Sequence, residues 1–295
     1  MTVTNIIKVN TALLGAVILW SSAFVAIRIG LLGFSPGSLA LFRFGVASLC
    51  FIWPVIKAKP FPRLGSQHVI SMLLIGAIGI AGYSILLNSG EQSLSSGLAS
   101  FLVTQTPVIT AILAIFWLKE KPSLNSIAGI GVSFLGVWII VYNQHLEISS
   151  HWGVLLVLLA TFCGSLQSIL QKQMLKIMTP LQVTALSTWI ASLMLIIFLP
   201  KLWHEAQQAS ASSIGAALFL GLVPSTLGQW LWSYGLSKTM VVKASTYLYA
   251  MPLISTVFGW LILSELPHYE ALIGGLIALL GAMIVNKDAI KLANA

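Results

Sequence analysis

ASFLVTQTPVITAILAIFWLKEKPSLNSIAGIGVSFLG fills residues 99–136, and its reading decides the fold because the chain writes it twice. Residues 244–281 read ASTYLYAMPLISTVFGWLILSELPHYEALIGGLIALLG. A constant shift of 145 residues lays Ala99 on Ala244, Ser100 on Ser245, Pro107 on Pro252, Leu118 on Leu263 and Glu120 on Glu265. It also lays Pro122 on Pro267, Gly129 on Gly274, Gly136 on Gly281 and, upstream, Gly76 on Gly221 and Gly90 on Gly235. Further upstream the register slips by one, so that Arg28 falls on Lys172 and Pro36 on Pro180. The chain reads as two related halves, and a repeat of this length frames every other reading.

The composition excludes a water-soluble globule. Of 295 residues, 58% are hydrophobic and only 7% charged, against about 25% charged in soluble domains. Lipid must take the place of water around the outer face. The net charge of +8 does not indicate nucleic acid, because the basic residues are scattered between apolar runs rather than gathered on one face. Cys50 and Cys163 both lie inside apolar runs and form no disulfide framework or zinc spacing. The run from Thr11 to Leu31 is long enough to span and lacks a small-residue cleavage site, so it reads as a retained first span rather than a signal peptide.

A helix needs about 20 apolar residues to cross a bilayer core. Ten candidates stand at about 11–31, 37–56, 69–88, 95–118, 124–142, 152–172, 181–199, 213–235, 243–263 and 270–286. The expected fold is an all-α integral membrane protein of ten transmembrane helices, arranged as two inverted five-helix repeats over 11–142 and 152–287. The breaks carry turn chemistry, as at Ser35-Pro36, Lys121-Pro122, Thr179-Pro180 and Leu266-Pro267. With the N-terminus in the cytoplasm, the inner loops and termini collect nearly all the lysines, from Lys8 and Lys57 to Lys287 and Lys291, and the outer loops keep only Lys201. That bias puts both termini on the cytoplasmic side of the membrane. The acids Glu91, Glu147, Glu205, Glu265 and Glu270 fall outside. Five spans per half is an odd number, so the halves enter the membrane in opposite senses, as in transporters whose site lies between inverted repeats.

Candidate functional residues are polar, aromatic or helix-breaking side chains within these spans. Pro107 and Pro252 sit mid-helix at equivalent repeat positions and cannot donate to the carbonyls of Val103 and Leu248; Pro224 stands in the same relation to Leu220. They read as kinks that shape a cavity and flex, or as packing irregularities. Arg43 is the one charge well inside a span, suited to gating, substrate contact or structural anchoring. No acidic residue is expected deep in any span, so no carboxylate proton relay is visible. Trp20, Tyr83, Gln105, Gln229, Trp232 and Tyr249 are the substrate-binding candidates, since a pocket for a small organic solute needs apolar walls and a few orienting polar groups; interfacial belts and interhelical contacts are the competing role. Gly129 with Gly136, and Gly274 with Gly281, mark helix faces that pack closely as scaffold. Glu120 and Glu265 read as structural, bonding free N–H groups of the next helix. The five histidines read as loop residues without metal-ligand spacing, so no metal, cofactor or catalytic residue is expected.

Together these features resemble the EamA-type branch of the drug/metabolite transporter superfamily. Residues 19–44, LWSSAFVAIRIGLLGFSPGSLALFRF, are similar to that family's opening Trp-Ser-Ser signature, following Arg, Ser-Pro turn and Arg-Phe pair. Each half then carries a small-residue helix start, a Pro and a terminal Glu, in Gly97–Glu120 and Lys243–Glu265. The second half departs from the first, with Gly164-Ser165-Leu166 in place of the signature and Ser187 in place of Arg43. The resemblance implies a ten-helix exporter of small metabolites such as amino acids or their derivatives, working by alternating access as a monomer or weak homodimer. It implies a small-molecule substrate, a lipid bilayer and no nucleic acid. A nucleotide-sugar or drug transporter of the same superfamily and a passive channel are the alternatives; an integral-membrane enzyme would need converging acids, bases or ligands that the spans lack.

Overall fold

A computed structural model describes residues 3–58, 60–117, 124–143, 148–265 and 269–294. Every regular element among them is helical. In chain order these are α1 (Val3–Gly30), α2 (Pro36–Ile56), α3 (Ser66–Glu91), α4 (Ser96–Val103), α5 (Thr106–Trp117) and α6 (Leu124–Asn143), followed by α7 (Ile148–Met174), α8 (Pro180–Gln208), α9 (Ala211–Lys238), α10 (Val241–Ser245), α11 (Met251–Leu263) and α12 (Tyr269–Asn294). Six of them, α1, α2, α3, α7, α8 and α9, are long and apolar enough to cross a membrane, and α6, the Tyr247–Leu263 stretch and α12 carry shorter apolar runs. Glu120 lies outside the described residues, as do Lys119, Lys121, Pro122, His145 and His268. His68, His151 and His204 are exposed but helical, near the ends of α3, α7 and α8, which corrects their reading as loop residues.

The helices begin where the turn residues direct. Pro36 and Pro180 each open a helix at its first position, where a missing N–H costs nothing. Thr179 and Gln182 close a reciprocal cap: Thr179 N–H donates to Gln182 Oε1 at 3.0 Å and Gln182 N–H to Thr179 Oγ1 at 3.3 Å. Ser95 Oγ accepts from Leu98 N–H to start α4, and Ser210 Oγ from Ser213 N–H to start α9.

Helix α1 runs through the centre. It is apolar on all sides, and a helix of that kind belongs in the interior. Leu13, Ala16, Val17, Phe24 and Ile27 form the main core with Leu87 of α3, Leu98 and Leu102 of α4, Val157 and Ala160 of α7, and Leu220 and Leu236 of α9. Large apolar side chains such as Leu49, Trp138, Leu193, Ile197, Leu253 and Leu276 point outward. Trp53, Trp152 and Trp203 are exposed near helix ends, the positions of an interfacial belt.

Lipid-facing helices gain nothing from hiding apolar surface from one another, so close backbone approach and polar contacts hold them together. These contacts come in matched pairs. At Gly76 a Cβ would stand 2.9 Å from the carbonyl of Ser187 and 2.5 Å from Ile190; at Gly221 it would stand 2.8 Å from the carbonyl of Arg43 and 2.6 Å from Val46. Thus α3 presses on α8 as α9 presses on α2. Helices α6 and α12 cross in the same reciprocal way. A Cβ at Gly136 would meet the Gly274 carbonyl at 2.5 Å, and one at Gly281 the Gly129 carbonyl at 2.6 Å. Ser133 Oγ donates to the Ala278 carbonyl at 2.9 Å in this crossing. The scaffold reading of these glycines matches the geometry.

The helix interruptions are paired as well. Both α3 and α9 carry a π-helical segment midway, at Ile75–Gly82 and Gly221–Gly228, and Pro224 lies in the second. Pro107 and Pro252 do not kink continuous helices, as the sequence suggests; each opens a new one. Helix α4 stops at Val103, Thr104 and Gln105 turn, and α5 starts at Thr106. A 3-10 turn at Thr246–Ala250 precedes α11, with Pro252 in its first turn. The freed carbonyls are satisfied locally. That of Val103 accepts from Thr106 Oγ1 at 2.7 Å, and that of Leu248 from Met251 N–H.

Candidate functional site

All four interruptions border one cavity of about 100 Å³, room for several waters. Helix α1 supplies Trp20, Ala23, Phe24 and Ile27; α2 supplies Arg43 and Phe44; and the π segment and next turn of α3 supply Gly79, Ile80, Tyr83, Ser84 and Leu87. Val103, Thr106, Leu248 and Met251 come from the two broken helices. Gly164, Gln167 and Ser168 line it from α7, and Gln229 and Trp232 from α9. A π segment aims one side chain out of helical register and recurs at functional sites. Here it ends against Tyr83 in α3 and against Gln229 in α9.

The aromatic wall is tied to the backbone. Trp20 and Trp232 rings lie 5.1 Å apart at 44°, an arrangement aromatic pairs favour. Trp20 Nε1 donates to the Pro224 carbonyl at 3.3 Å. Arg43 is 6% exposed. Its Nε donates to Ser225 Oγ at 2.9 Å, and its guanidinium lies 4.8 Å from the centre of the Phe44 ring. Arg43 therefore both anchors α2 to α9 and presents a positive charge to the cavity.

Two cations flank the lining residues, Arg28 next to Ile27 on α1 and Lys172 one turn past Ser168 on α7. Arg28 Nε pairs with Glu265 Oε1 at 3.1 Å, and its NH1 nitrogen donates to the Glu91 carbonyl at 2.7 Å. Glu265 Oε2 accepts from Ser96 N–H at 3.1 Å and Ser96 Oγ at 3.0 Å. Glu265 thus caps α4, far away in sequence. Ser264, in the left-handed region at φ 55°, turns the chain so that Glu265 can reach there. Lys172 Nζ donates to the carbonyls of Leu236 at 2.7 Å and Thr239 at 2.6 Å.

Chains with this helical layout are known. The family model of the EamA-like transporter family matches residues 7–142 and again 151–287. The chain belongs to the EamA-like transporter family. It is 33% identical over 264 residues, 89% of this chain and 86% of the relative, to the uncharacterized transporter YdfC of Bacillus subtilis (strain 168). It is also 33% identical over 285 residues, 95% of this chain and 94% of the relative, to a probable terminal-alkyne amino-acid exporter of Streptantibioticus cattleyicolor. A protein of known crystal structure, 16% identical, superposes with a TM-score of 0.62 over 96% of this chain and 98% of its own. That likeness concerns the fold alone. An EamA-like chain is a multi-pass membrane transporter rather than an enzyme, with a small-molecule substrate and a lipid surround.

Of the six side chains singled out from sequence, Trp20, Tyr83, Gln229 and Trp232 line the cavity of this EamA-like protein. Gln105 and Tyr249 lie elsewhere. Gln105 Oε1 accepts from Ser133 Oγ, its Nε2 donates to the Phe101 carbonyl at 3.4 Å, and Tyr249 Oη donates to the Ala282 carbonyl at 2.6 Å. Both tie the broken helices to the α6–α12 pair. Sequence reasoning passed over Phe24, Phe44, Thr106 and Ser168 on the wall. It also placed Glu91 in an outer loop. Glu91 is the last residue of α3, with 0% exposure, so it is a buried helix-end carboxylate and not a loop residue. The signal was the spacing Ser84, Asn88, Glu91, which puts three polar side chains on one helix face.

Proposed function

We propose that this chain exports amino acids or their derivatives as a secondary transporter, by alternating access between two inverted five-helix halves. The observation that carries the reading is the cavity itself. It lies where the two sequence repeats meet, has aromatic walls, and contains one buried guanidinium and two glutamines. Such a lining suits a solute with a carboxylate and an apolar side chain. The name of the Streptantibioticus cattleyicolor relative supports the same solute class.

The reciprocal glycine contacts support the inverted arrangement. If residue i of one half touches residue j of the other while their counterparts touch in return, a two-fold axis relates the halves. Gly76 with Ser187 and Gly221 with Arg43 satisfy that test, as do Gly136 with Gly274 and Gly281 with Gly129. Ten spans in domains 11–142 and 152–287, with cytoplasmic termini in a bacterial inner membrane, remain our reading of the lysine bias. In this scheme the Arg28–Glu265 pair and Lys172 hold opposite ends of the cavity, and the breaks at Pro107 and Pro252 let the halves rock. Arg43 orients the solute carboxylate, with Trp20, Tyr83, Gln229 and Trp232 around it. Gln105 and Tyr249 act behind the wall.

A nucleotide sugar is less well served. Its phosphates call for several cationic partners, and only Arg43 offers a charge among the lining residues. The test is exchange of labelled L-phenylalanine and L-leucine across proteoliposomes. Saturable exchange that Tyr83→Ala and Trp232→Ala weaken supports the proposal; exchange indifferent to both variants sinks the assignment of the site. Linear, non-saturable flux would identify a channel.

A further inference from the structure

Glu91 has no role in the solute site described above, yet burying it without a partner is costly. It is completely buried, and neither carboxylate oxygen accepts a hydrogen bond among the described residues. A buried carboxylate without a partner calls for an explanation in function or in a bound water or ion. It ends a polar file along one face of α3. Ser84 lines the cavity, Asn88 follows one turn later, and Glu91 three residues after that. Ser84 Oγ and Asn88 Oδ1 also lack partners, while Asn88 Nδ2 is committed to the Pro36 carbonyl at 2.9 Å. Neighbouring Cβ atoms at these spacings stand about 5–6 Å apart, a gap that one bridging water spans.

Beyond Glu91 the file meets the partly exposed Arg28–Glu265 pair, whose arginine holds the Glu91 carbonyl. The file thus joins the cavity to the outer edge of the protein at that end. The charges within reach of the Glu91 carboxylate are Arg28 of α1, Glu265 after α11 and Arg43 of α2. Helix α7, packed against Gly90, presents Gly153 and Val157 there, and its nearest titratable group, His151, is exposed. Helix α4 has no titratable side chain.

The other half supplies an internal control. The shift of 145 lays Ser84 on Gln229, Asn88 on Ser233 and Glu91 on Leu236. There the file is closed. Ser233 Oγ accepts from Gln171 Nε2 at 2.6 Å and bonds Thr184 Oγ1 at 2.7 Å, and Leu236 is apolar. The acid and Arg43 are absent together from that half, since Ser187 takes the place of Arg43. A packing need common to both halves would have kept them.

We propose that Glu91 is a proton-binding site, reached from the cavity through Ser84 and Asn88, and that solute transport moves a proton on and off it. The step is R–COO⁻ + H₃O⁺ ⇌ R–COOH + H₂O at the Glu91 carboxylate. A metal cation is the poorer occupant, because no group of three or more His, Cys, Asp or Glu side chains gathers there among the described residues. This inference rests on the transporter reading above, and its test separates the two.

The wild-type protein is reconstituted with an internal pH dye, and labelled L-phenylalanine and L-leucine are exchanged with and without a pH gradient. Exchange without a gradient tests the transporter reading. Dye response on adding solute, of either sign, tests proton coupling. In Glu91→Gln the dye response should fall by about tenfold or more while exchange persists, since the amide binds no proton. Infrared difference spectra on a pH jump give a readout that needs no solute. A carboxylic-acid carbonyl band should appear in the wild type and vanish in Glu91→Gln, with Glu91→Asp keeping a shifted band. Absence of that band in the wild type overturns the proposal. So does exchange without dye response, or flux that follows sodium instead of protons. Failure of both amino acids to exchange, with the band intact, would remove the solute assignment and leave the proton site standing.

Discussion

Helices α3 and α9 hold equivalent places in the two halves and are built alike up to a point. Each has a π segment midway, and each presses a glycine onto the backbone of a helix from the opposite half. Beyond the π segment they diverge. Helix α9 carries Ser233, which is bonded on both sides, and Leu236; α3 carries Asn88 and Glu91, whose side-chain oxygens have no partner among the described residues. Next to them, α2 offers Arg43 to the cavity, while its counterpart α8 offers nothing to the lining described. In the proposed scheme the shared features belong to the frame that lets two halves move against each other. The unshared ones mark where chemistry is concentrated, because symmetry alone does not require them.

The largest effect expected from this contrast falls on Arg43. Arg43→Ala removes the one cavity cation and leaves Ser225 without its donor. Exchange of L-phenylalanine in proteoliposomes should drop about tenfold or more, as for loss of a charged contact to a carboxylate. Ser187→Ala at the equivalent position of α8 loses a hydroxyl that bonds only its own helix at Val183 and Thr184. Its exchange rate should stay within about twofold of wild type. Equal losses in the two variants would dissolve the distinction between the halves.

The frame is tested by treating its two sides alike. Gly76→Val drives a side chain into Ile190 and the Ser187 carbonyl, and Gly221→Val into Val46 and the Arg43 carbonyl. Overpacking of this kind costs about 1–3 kcal/mol. Thermal unfolding in detergent, followed by tryptophan fluorescence, should show comparable losses for both. A large loss at one position and none at the other would break the two-fold relation.

Much of this frame is legible in the sequence because a repeat prints it twice. Gly129 and Gly136 with Gly274 and Gly281, and Pro36 with Pro180, announce their roles by recurrence, whereas Gly76 with Gly221 and Pro107 with Pro252 announce only their equivalence. What recurrence cannot convey is which element a side chain meets. The carbonyl of Val103 finds the hydroxyl of Thr106, so the helix breaks there instead of bending. Glu265 reaches back to Arg28 and Ser96 across more than half the chain. Gln105 and Tyr249 sit in polar-aromatic stretches like those of Trp20 and Gln229, yet turn to α6 and α12. Glu91 was the most misleading. Hydropathy ends a span at the first charge, whereas α3 continues to Glu91 because α1, α4 and α7 enclose its final turn.

The smallest effect sharpens the comparison most directly, since it concerns two serines of similar burial. Ser233→Ala in α9 strands Gln171 Nε2 and takes from Thr184 Oγ1 one of its two partners, leaving it the Pro180 carbonyl. Interhelical polar contacts in membranes contribute about 0.6 kcal/mol each, so the loss should be about 1 kcal/mol by thermal unfolding. Ser84→Ala in α3 removes a buried hydroxyl that has no partner among the described residues, and removing an unsatisfied group is neutral or slightly stabilising. Its melting temperature should hold or rise while its solute-driven proton movement slows, because Ser84 joins the cavity to Asn88 and Glu91. A structural serine would give the opposite pattern, with stability lost and proton movement kept. The pair therefore separates a polar residue that holds helices together from one kept open for something that passes along it.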